Sequence, residues 1–329
     1  MHYNFDNLSY KEALEILTLP DEELPPLLEE VYAIRKRHKG NRVSIQLLTN
    51  ARSGNCSQNC AYCAQSQESK ADIEKYSLVS YDKLRSDGLL IREKNLARHC
   101  IGLSGIRFSD TQIEELAGEI EKLRLEIQTP ICCSIGFLTP KQAHRLKDAG
   151  VGRINHNLNT SRNYYPEICT THTYQERIEN IRMLQGIGFE ICCGGIIGLG
   201  EEVKDVADML FEIKAIQPQA VPINFLIPIQ GTHLENMDTS RLTAEYCLKV
   251  LCLARILTPE ADIRCAAGRE VYLKGKEKWM FYAVDSIFAS GYLTADGESL
   301  EDTLQVITEA GFEYHIEEAL PASGRSFSA

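Results

Sequence analysis

The stretch VSIQLLTNARSGNCSQNCAYCAQS (residues 43–66) joins a short apolar run to three closely spaced cysteines. The run alternates apolar and polar side chains, which is typical of a β-strand. The cysteines Cys56, Cys60 and Cys63 have the spacing C-x3-C-x2-C. A zinc site would need a fourth nitrogen or sulfur ligand close by, whereas the next histidine or cysteine is His99. Three thiolates instead favour an iron–sulfur cluster with one iron open to another ligand.

Beyond this stretch, short apolar runs alternate along the chain with longer amphipathic segments such as 110–125 and 174–186. Some of these segments are followed by a glycine that is typical of a helix stop, for example Gly150 and Gly188. The alternation favours a parallel α/β fold, and the number of runs predicts a (β/α)8 TIM-type barrel with an N-terminal helical extension. The eight runs are residues 43–48, 99–103, 130–135, 152–157, 190–197, 221–226, 261–265 and 285–289.

The length of 329 residues suits one such barrel with extensions. We expect residues 1–40 to form the helical extension, residues 41–316 the barrel and residues 317–329 a flexible tail. The N-terminus has no signal-like segment, and no apolar stretch reaches the ~18 residues of a membrane span, so we expect a cytoplasmic protein without a membrane partner. The net charge of −11 and the lack of a basic run disfavour a nucleic-acid partner.

Several of the twelve cysteines fall within predicted strands. Because side chains alternate faces along a strand, only one residue of each adjacent pair can face the barrel interior. Thiols from several strands could hold a second metal–sulfur cluster there, although buried cysteines also serve as small apolar fillers. The strand cysteines are Cys100, Cys132, Cys133, Cys192, Cys193 and Cys265, whereas Cys169, Cys247 and Cys252 are interpreted as packing residues in or near helices.

Polar side chains on the predicted strands point to the same interior. Arg264 places a charge in a strand, which is costly to bury unless it is paired in a salt bridge or coordinates a ligand. Asn155 and Asn157 are two residues apart and face the same way, and Asn224 lies on another strand. Their amides could bond to each other or to a ligand that carries donors and acceptors, such as a cyclic urea or an amino-acid moiety. The glycine-rich stretch 194–201 allows close backbone approach, which we interpret as contact with an adenine.

Tyr62, directly before the last cysteine of the triad, completes a pattern that resembles the signature of the radical S-adenosylmethionine (SAM) enzymes. From about residue 42 to 315 the chain also resembles the biotin synthase family. The stretches that carry this resemblance are NCSQNCAYCAQS (55–66), NHNLNTS (155–161), TTHTYQER (170–177), GGIIGLGE (194–201), VPINFL (221–226) and AGRE (267–270).

The resemblance implies a [4Fe–4S] cluster that cleaves SAM into methionine and a 5′-deoxyadenosyl radical, which takes hydrogen atoms from two saturated carbons of dethiobiotin. It implies an auxiliary iron–sulfur cluster, expected to be [2Fe–2S], that supplies the sulfur of biotin. The family also suggests an electron donor protein and a homodimer. The implied residues are Cys56, Cys60 and Cys63 for the first cluster; Cys100, Cys133, Cys192 and Arg264 for the auxiliary cluster; Tyr62, Asn157, Asn159, Ile196 and Leu199 for SAM; and Asn155, Asn157 and Asn224 for the substrate.

The chain departs from the family pattern in two ways. Many family members have Asp where this chain has Asn159, and an amide should bind SAM more weakly than a carboxylate. Cys132, Cys193 and Cys265 stand next to expected auxiliary ligands. Strand geometry predicts that they face away, but a β-bulge could turn one inward, which leaves another cluster type open. Two alternatives remain: a sibling enzyme of the same barrel type, such as a hydrogenase maturase or a carbon-skeleton rearranging enzyme, and a non-catalytic iron–sulfur carrier or SAM-binding sensor.

Overall fold

The computed structural model describes residues 3–289 and 299–315, so the predicted tail lies outside the described residues. Its strands are β1 (Arg42–Arg52), β2 (Arg98–Leu103), β3 (Ile131–Ser134), β4 (Val151–Asn155), β5 (Glu190–Cys192), β6 (Gly195–Ile197), β7 (Ala220–Phe225), β8 (Asp262–Cys265), β9 (Ser286–Ala289) and β10 (Glu313–His315). All pairings between them are parallel, and β1 pairs with both β2 and β9, which closes the sheet into a barrel. The predicted fold class is therefore confirmed.

Each of the eight predicted runs contributes to one position around the barrel, in chain order. The fifth position is divided into β5 and β6, which the sequence did not predict. A Cβ atom added at Gly194, between them, would lie 1.8 Å from the carbonyl oxygen of Pro222 in β7. One added at Gly195 would lie 2.1 Å from Sδ of Met209. The glycines are thus needed because the chain packs closely against itself here. The short strand β10, outside the barrel on β1, was also not predicted.

The helices form the outer layer, and their ends follow ordinary capping rules. Ser109 and Thr173 cap α4 (Asp110–Glu126) and α7 (Tyr174–Gly186) by accepting backbone hydrogen bonds, and Gly150 ends α5 (Pro140–Ala149) in the left-handed conformation. Among the described residues no helix is long and apolar enough to cross a membrane. The helices are α1 (Tyr10–Leu17), α2 (Leu24–Lys39), α3 (Tyr81–Glu93), α4 (Asp110–Glu126), α5 (Pro140–Ala149), α6 (Tyr165–Ile168), α7 (Tyr174–Gly186), α8 (Val203–Ile216), α9 (Ala244–Leu257), α10 (Arg269–Tyr272), α11 (Glu277–Met280) and α12 (Leu300–Glu309).

The N-terminal helices α1 and α2 pack on α9, and α2 also reaches the lower end of the barrel, where the strands begin: Arg35 donates to the carbonyl of Arg42. There a network of ion pairs spans the strand starts. Arg153 of β4 pairs with Glu190 of β5 at 2.8 Å and with Asp262 of β8 at 3.2 Å. Lys39 at the end of α2 pairs with the same Asp262 at 2.8 Å. This network lies at the N-terminal end of the strands, opposite the face on which barrel enzymes build their sites.

Candidate active site

The three-cysteine loop follows β1 at the C-terminal face of the barrel, as predicted. Gly54 and Asn55 have positive φ angles of 68° and 53°, which turn the chain out of the strand. The amide of Gly54 donates to Oε1 of Gln65 at 2.9 Å, and the amide of Cys63 donates to the carbonyl of Cys60 at 3.0 Å. These bonds fold the loop back on itself, so that its partly buried thiols stay close to the barrel mouth.

Two thiols of this loop lie in surroundings that disfavour a free thiolate. The hydrogen bond to Cys169 and burial both raise the pKa of the Cys60 thiol. Burial raises the pKa of Cys63 to about 11. A thiolate at either position therefore needs a compensating positive charge, and a metal ion supplies one.

Cys169 and His172 are functional candidates that the sequence reading missed, since Cys169 had been interpreted as packing. Sγ of Cys169 lies 3.7 Å from Sγ of Cys60. The ligand atoms of Cys60, Cys169 and His172 all lie within 4.8 Å of one another. The available signal was the C-x2-H spacing directly before and within the stretch 170–177, which carries the family resemblance.

A cavity of about 240 Å3 lies inside the barrel mouth, next to the three-cysteine loop. It brings together most of the predicted site residues from five different strands and the loop. Its walls are otherwise mainly apolar. The predicted site residues that line it are Tyr62, Cys63, Cys100, Asn155, Asn157, Ile196, Asn224 and Arg264.

Cys132, and not Cys133, faces this cavity. Cys100 and Cys132 are directly paired in the register of β2 and β3, so their side chains share a face, and the Cys100 thiol donates to Oε1 of Gln46 at 3.1 Å. Both line the cavity, whereas Cys133 packs in the apolar layer between the strands and the helices. The expectation that Cys133 reaches the interior is therefore wrong by one position. The alternation of side chains along a strand predicts that one cysteine of the pair faces inward, but it does not predict which one.

In the other adjacent pair, Cys192 faces the interior and Cys193 faces away, as expected. Cys192 contacts the interior groups Asn155 and Arg264, with Nδ2 of Asn155 at 3.5 Å and Nη1 of Arg264 at 3.6 Å from its Sγ. Cys193 and Cys265 both pack in the apolar layer behind the strands. No bulge turns either of them inward among the described residues. Of Cys132, Cys193 and Cys265, only Cys132 therefore faces the interior, and it does so in place of Cys133.

Arg264 is almost fully buried, at 1% exposure. Its Nε donates to Oγ of Ser286 at 3.0 Å, and its guanidinium lies 4.8 Å from the ring centroid of Phe288. Nη2 has no hydrogen-bond partner among the described residues, and no carboxylate there forms a salt bridge with Arg264. The salt-bridge alternative from the sequence thus has no partner in the described part of the chain. A buried donor without a partner indicates a missing ligand.

The three asparagines bond to the backbone and to sulfur, and not to each other. Oδ1 of Asn157 accepts from the amide of Gly194 at 3.0 Å. Asn224 bridges two strand ends, because its Nδ2 donates to the carbonyl of Gly195 and its Oδ1 accepts from the amide of Ala267. Asn155 is the amide whose only described contact is with a thiol, so it is the best placed to turn towards a substrate.

Two predicted SAM contacts, Asn159 and Leu199, do not line the cavity. Asn159 has a φ of 73°, and its carbonyl accepts from the amide of Ile196 at 2.8 Å. Leu199 is buried in the apolar layer, and its carbonyl accepts from the hydroxyl of Tyr164. Asn159 therefore holds the strand end that presents Ile196, whereas Leu199 packs in the apolar layer after that strand.

The site offers two sets of sulfur ligands, and members of both line one cavity: Cys63 of the loop, and Cys100 and Cys132 of the interior, whereas Cys56, Cys60 and Cys192 do not line it. The loop set is Cys56, Cys60 and Cys63, with no fourth thiol of the loop itself. The interior set is Cys100, Cys132 and Cys192, completed by the partnerless nitrogen of Arg264. All twelve cysteines of the chain are free. Soft thiolates in threes and fours are the ligands that iron–sulfur clusters take, so the residues fit both implied clusters.

Comparison with known protein families agrees with this site. The Radical SAM superfamily matches residues 50–213, which include the end of β1, the three-cysteine loop and β2 to β6. The fold and the loop thus define a radical SAM enzyme. The Biotin and Thiamin Synthesis associated domain matches residues 222–313.

Curated relatives narrow this class. Biotin synthase of Geobacillus kaustophilus is 39% identical over 317 residues, which cover 96% of this chain and 94% of the relative. Biotin synthase of Bacillus subtilis strain 168 is 38% identical over 313 residues, which cover 95% and 93%. The chain belongs to the biotin synthase family.

Solved structures of lower identity support the fold alone. The FeFe-hydrogenase maturase of Carboxydothermus hydrogenoformans is 19% identical with a TM-score of 0.83, covering 95% of this chain and 77% of that chain. Methylornithine synthase is 16% identical with a TM-score of 0.74, covering 92% and 97%. The shared barrel therefore does not distinguish the reactions.

Proposed function

We propose that this chain makes biotin with a [4Fe–4S] cluster on Cys56, Cys60 and Cys63 and an auxiliary cluster on the interior set. Its reaction is that of its family, the insertion of sulfur into dethiobiotin. The observation that supports the residue assignment is a single cavity lined by Cys63 of the loop set and by Cys100, Cys132 and Arg264 of the interior set. With SAM bound, the first cluster supplies a 5′-deoxyadenosyl radical, and the auxiliary cluster supplies sulfur.

We assign the auxiliary ligands as Cys100, Cys132, Cys192 and Arg264. This set replaces Cys133 by Cys132, because only Cys132 shares a face with Cys100. Four terminal ligands suit a two-iron or a four-iron cluster equally. Mössbauer quantification of the auxiliary iron after anaerobic reconstitution counts the irons directly.

We place SAM at the side of the cavity next to the loop, against Tyr62, Asn157 and Ile196. Asn159 acts there through the backbone that holds Ile196, and Leu199 through its packing in the apolar layer after that strand. In that arrangement the side chain of Asn159 does not contact SAM. Having Asn here in place of the Asp of many family members therefore weakens SAM binding less than the loss of a direct charged contact would.

We place dethiobiotin between SAM and the interior set. Apolar walls from Phe225, Leu226 and Phe288 suit a saturated carbon chain, and the amide of Asn155 suits a ureido ring. The strands surround this space, and the ion-pair network of Arg153 lies at the opposite end. A radical formed in the cavity is therefore kept from bulk water.

We further propose an electron donor protein, a homodimer and a cytoplasmic location for this enzyme. Twelve free cysteines suit a compartment that keeps thiols reduced. Light scattering of the reconstituted protein tests the dimer, and its monomeric mass in solution would overturn it.

An anaerobic assay tests the function. The protein is reconstituted with iron and sulfide and given SAM, a reductant and dethiobiotin, and the products are measured by mass spectrometry. Biotin and 5′-deoxyadenosine should both form, and both should be lost in Cys60→Ala. 5′-Deoxyadenosine without biotin would refute the substrate, and SAM binding without either product would indicate a sensor.

A further inference from the structure

Two loops meet across the mouth of the barrel, and neither contains a residue of the two ligand sets. Residues 66–71 continue the three-cysteine loop after β1, and residues 229–235 follow β7. The amide of Lys70 in the first loop donates to the carbonyl of Gly231 in the second at 2.8 Å. We call residues 66–71 and 229–235 together the rim contact.

Gly231 allows the two backbones of the rim contact to approach closely. Its φ angle is 85°, and a Cβ atom added there would lie 2.4 Å from the amide nitrogen of Ala71. Glycine is needed at this position because of both the positive φ angle and the close approach. The amide of Gly231 also donates to Oε2 of Glu235 at 2.6 Å, which braces the second loop. Beside it, Nε2 of His233 lies 2.8 Å from Oε2 of Glu68 in the first loop.

The rim contact borders the cavity of the active site. β1 and β7 are not neighbours in the barrel, because β8 and β9 lie between them. The contact therefore spans the side of the mouth where β8 and β9 end, and these strands carry Arg264 and Phe288 of the cavity wall. Residues 63–65, close before the first loop, and Ile229 of the second loop also line the cavity.

The cavity is small for the ligands that the proposed function places in it. Its volume of about 240 Å3 is below the range of about 300–1,000 Å3 that is usual for the pocket of one small molecule. The proposed function places both SAM and dethiobiotin there. The closed barrel fixes the strands of the cavity wall, so the loops at the mouth are the part of its border that can move.

The rim contact can open at low cost, because much of it is exposed. Glu68, Lys70, His233 and Glu235 all lie at the surface. Surface ion pairs such as that of His233 and Glu68 contribute little to stability. Exposed segments of this kind open locally far more often than the whole protein unfolds.

We propose that the rim contact is a gate whose two loops separate to admit SAM and dethiobiotin and then close over both ligands. Closure keeps water away from the reacting atoms and holds the ligands in place during the reaction. The proposal rests on the proposed function, because that function names the two ligands.

The first test is hydrogen–deuterium exchange of the reconstituted full-length protein, measured by mass spectrometry of peptides that cover residues 66–73 and 229–235. Gly231→Ala places a Cβ atom against the backbone of Ala71, so both peptides should exchange at least about tenfold faster than in the wild type. The peptide 66–73 is decisive, because it contains the amide of Lys70 but not the substituted residue.

Two further variants make this comparison specific. Gly275→Ala is the matched control, because Gly275 has a similar φ of 80° but no atom within 4 Å of an added Cβ, and it should leave both peptides unchanged. Glu235→Ala introduces no clash and removes the acceptor for the amide of Gly231, so it should speed exchange in both peptides about threefold. Faster exchange in residues 229–235 alone, or an equal effect of Gly275→Ala, overturns the gate.

The second test measures the passage of the ligand itself. Radiolabelled dethiobiotin is bound together with SAM but without a reductant, so that no turnover occurs, and its association and dissociation rates are followed by rapid filtration. Both rates should rise about tenfold in Gly231→Ala, because a gate controls entry and exit alike. A rise in the dissociation rate alone would show that the loops are only a wall of the binding site, which overturns the gate. If the wild-type protein retains neither ligand, the proposed function fails, and the exchange of residues 66–73 still decides whether the two loops open together.

Discussion

The assignment of Cys132, and not Cys133, to the auxiliary ligand set leads to a sharp prediction, because the two residues are neighbours and the same substitution can be made at both. We expect Cys132→Ala to lose the auxiliary cluster and Cys133→Ala to keep it. The reason is that Cys132 shares the interior face with Cys100, whereas Cys133 packs against the helices.

The magnitudes follow from the two environments. Cys133 is fully buried, so Cys133→Ala removes one sulfur from a packed layer, comparable to one methylene, and should cost about 1 kcal/mol. That corresponds to a fall of about 2–4 °C in Tm. Cys132→Ala removes a similar volume, so its Tm without clusters should fall by a similar amount. The variants should therefore differ in metal content and not in cluster-free stability.

The assay is iron and sulfide per chain after anaerobic reconstitution, followed by single-turnover product analysis. Cys132→Ala should retain only the iron of the first cluster and form 5′-deoxyadenosine with little or no biotin. Cys133→Ala should retain both clusters and form biotin at close to the wild-type level. The opposite pattern, with auxiliary iron lost in Cys133→Ala and kept in Cys132→Ala, would refute the assignment of strand faces.

Three further predictions concern the scaffold. Gly194→Ala should cost about 3 kcal/mol or more in urea unfolding, because its Cβ would meet a backbone carbonyl at 1.8 Å, whereas Gly186→Ala, with no atom within 4 Å, should be neutral or stabilising. Burial lowers the pKa of His99 to about 4. The unfolded chain therefore takes up this proton at a higher pH than the folded protein does, so the free energy of unfolding should fall by roughly 3 kcal/mol as the pH drops from about 6.5 towards 4. His99→Gln should flatten that pH profile, and an unchanged profile would contradict the prediction. Arg153→Met should cost about 3 kcal/mol by leaving Asp262 underpaired, and Asp262→Asn in the same chain should recover part of it in a double-mutant cycle.

The barrel could be predicted from the sequence because its signal is repeated. Eight apolar runs separated by amphipathic segments leave few other ways to bury the strands, and errors in any one run do not change the total. The loop cysteines were equally clear, since their spacing is local. The break between β5 and β6 was not, because it depends on how closely Pro222 approaches Gly194 across a strand pair.

The site residues that were missed or misplaced depend on tertiary geometry. A pair of adjacent cysteines fixes that one faces inward, but choosing Cys132 over Cys133 requires the register between β2 and β3. Cys169 had no periodic signal, and it meets Cys60 only because the segment after α6 folds against the loop, where the amide of Ala61 donates to the carbonyl of Ile168.

The buried arginines of the barrel separate into two groups that match the division of the molecule into scaffold and site. Arg153 and Arg255 pair with the carboxylates of Asp262 and Asp285 at the lower end of the barrel. These pairs compensate the cost of burying both charges.

Arg177 and Arg264 are also buried, but neither forms a salt bridge with a carboxylate in the described part of the chain. Each instead lies next to one of the two sulfur sets: Arg264 contacts Cys192, and Arg177 reaches Cys60 through His172 and Cys169. A buried cation without a nearby anion is costly unless hydrogen bonds compensate it, as backbone carbonyls do for the fully buried Arg35. The negative charge of cluster thiolates would add to the compensation of Arg177 and Arg264. The positions of these two arginines therefore support the two cluster sites that we propose.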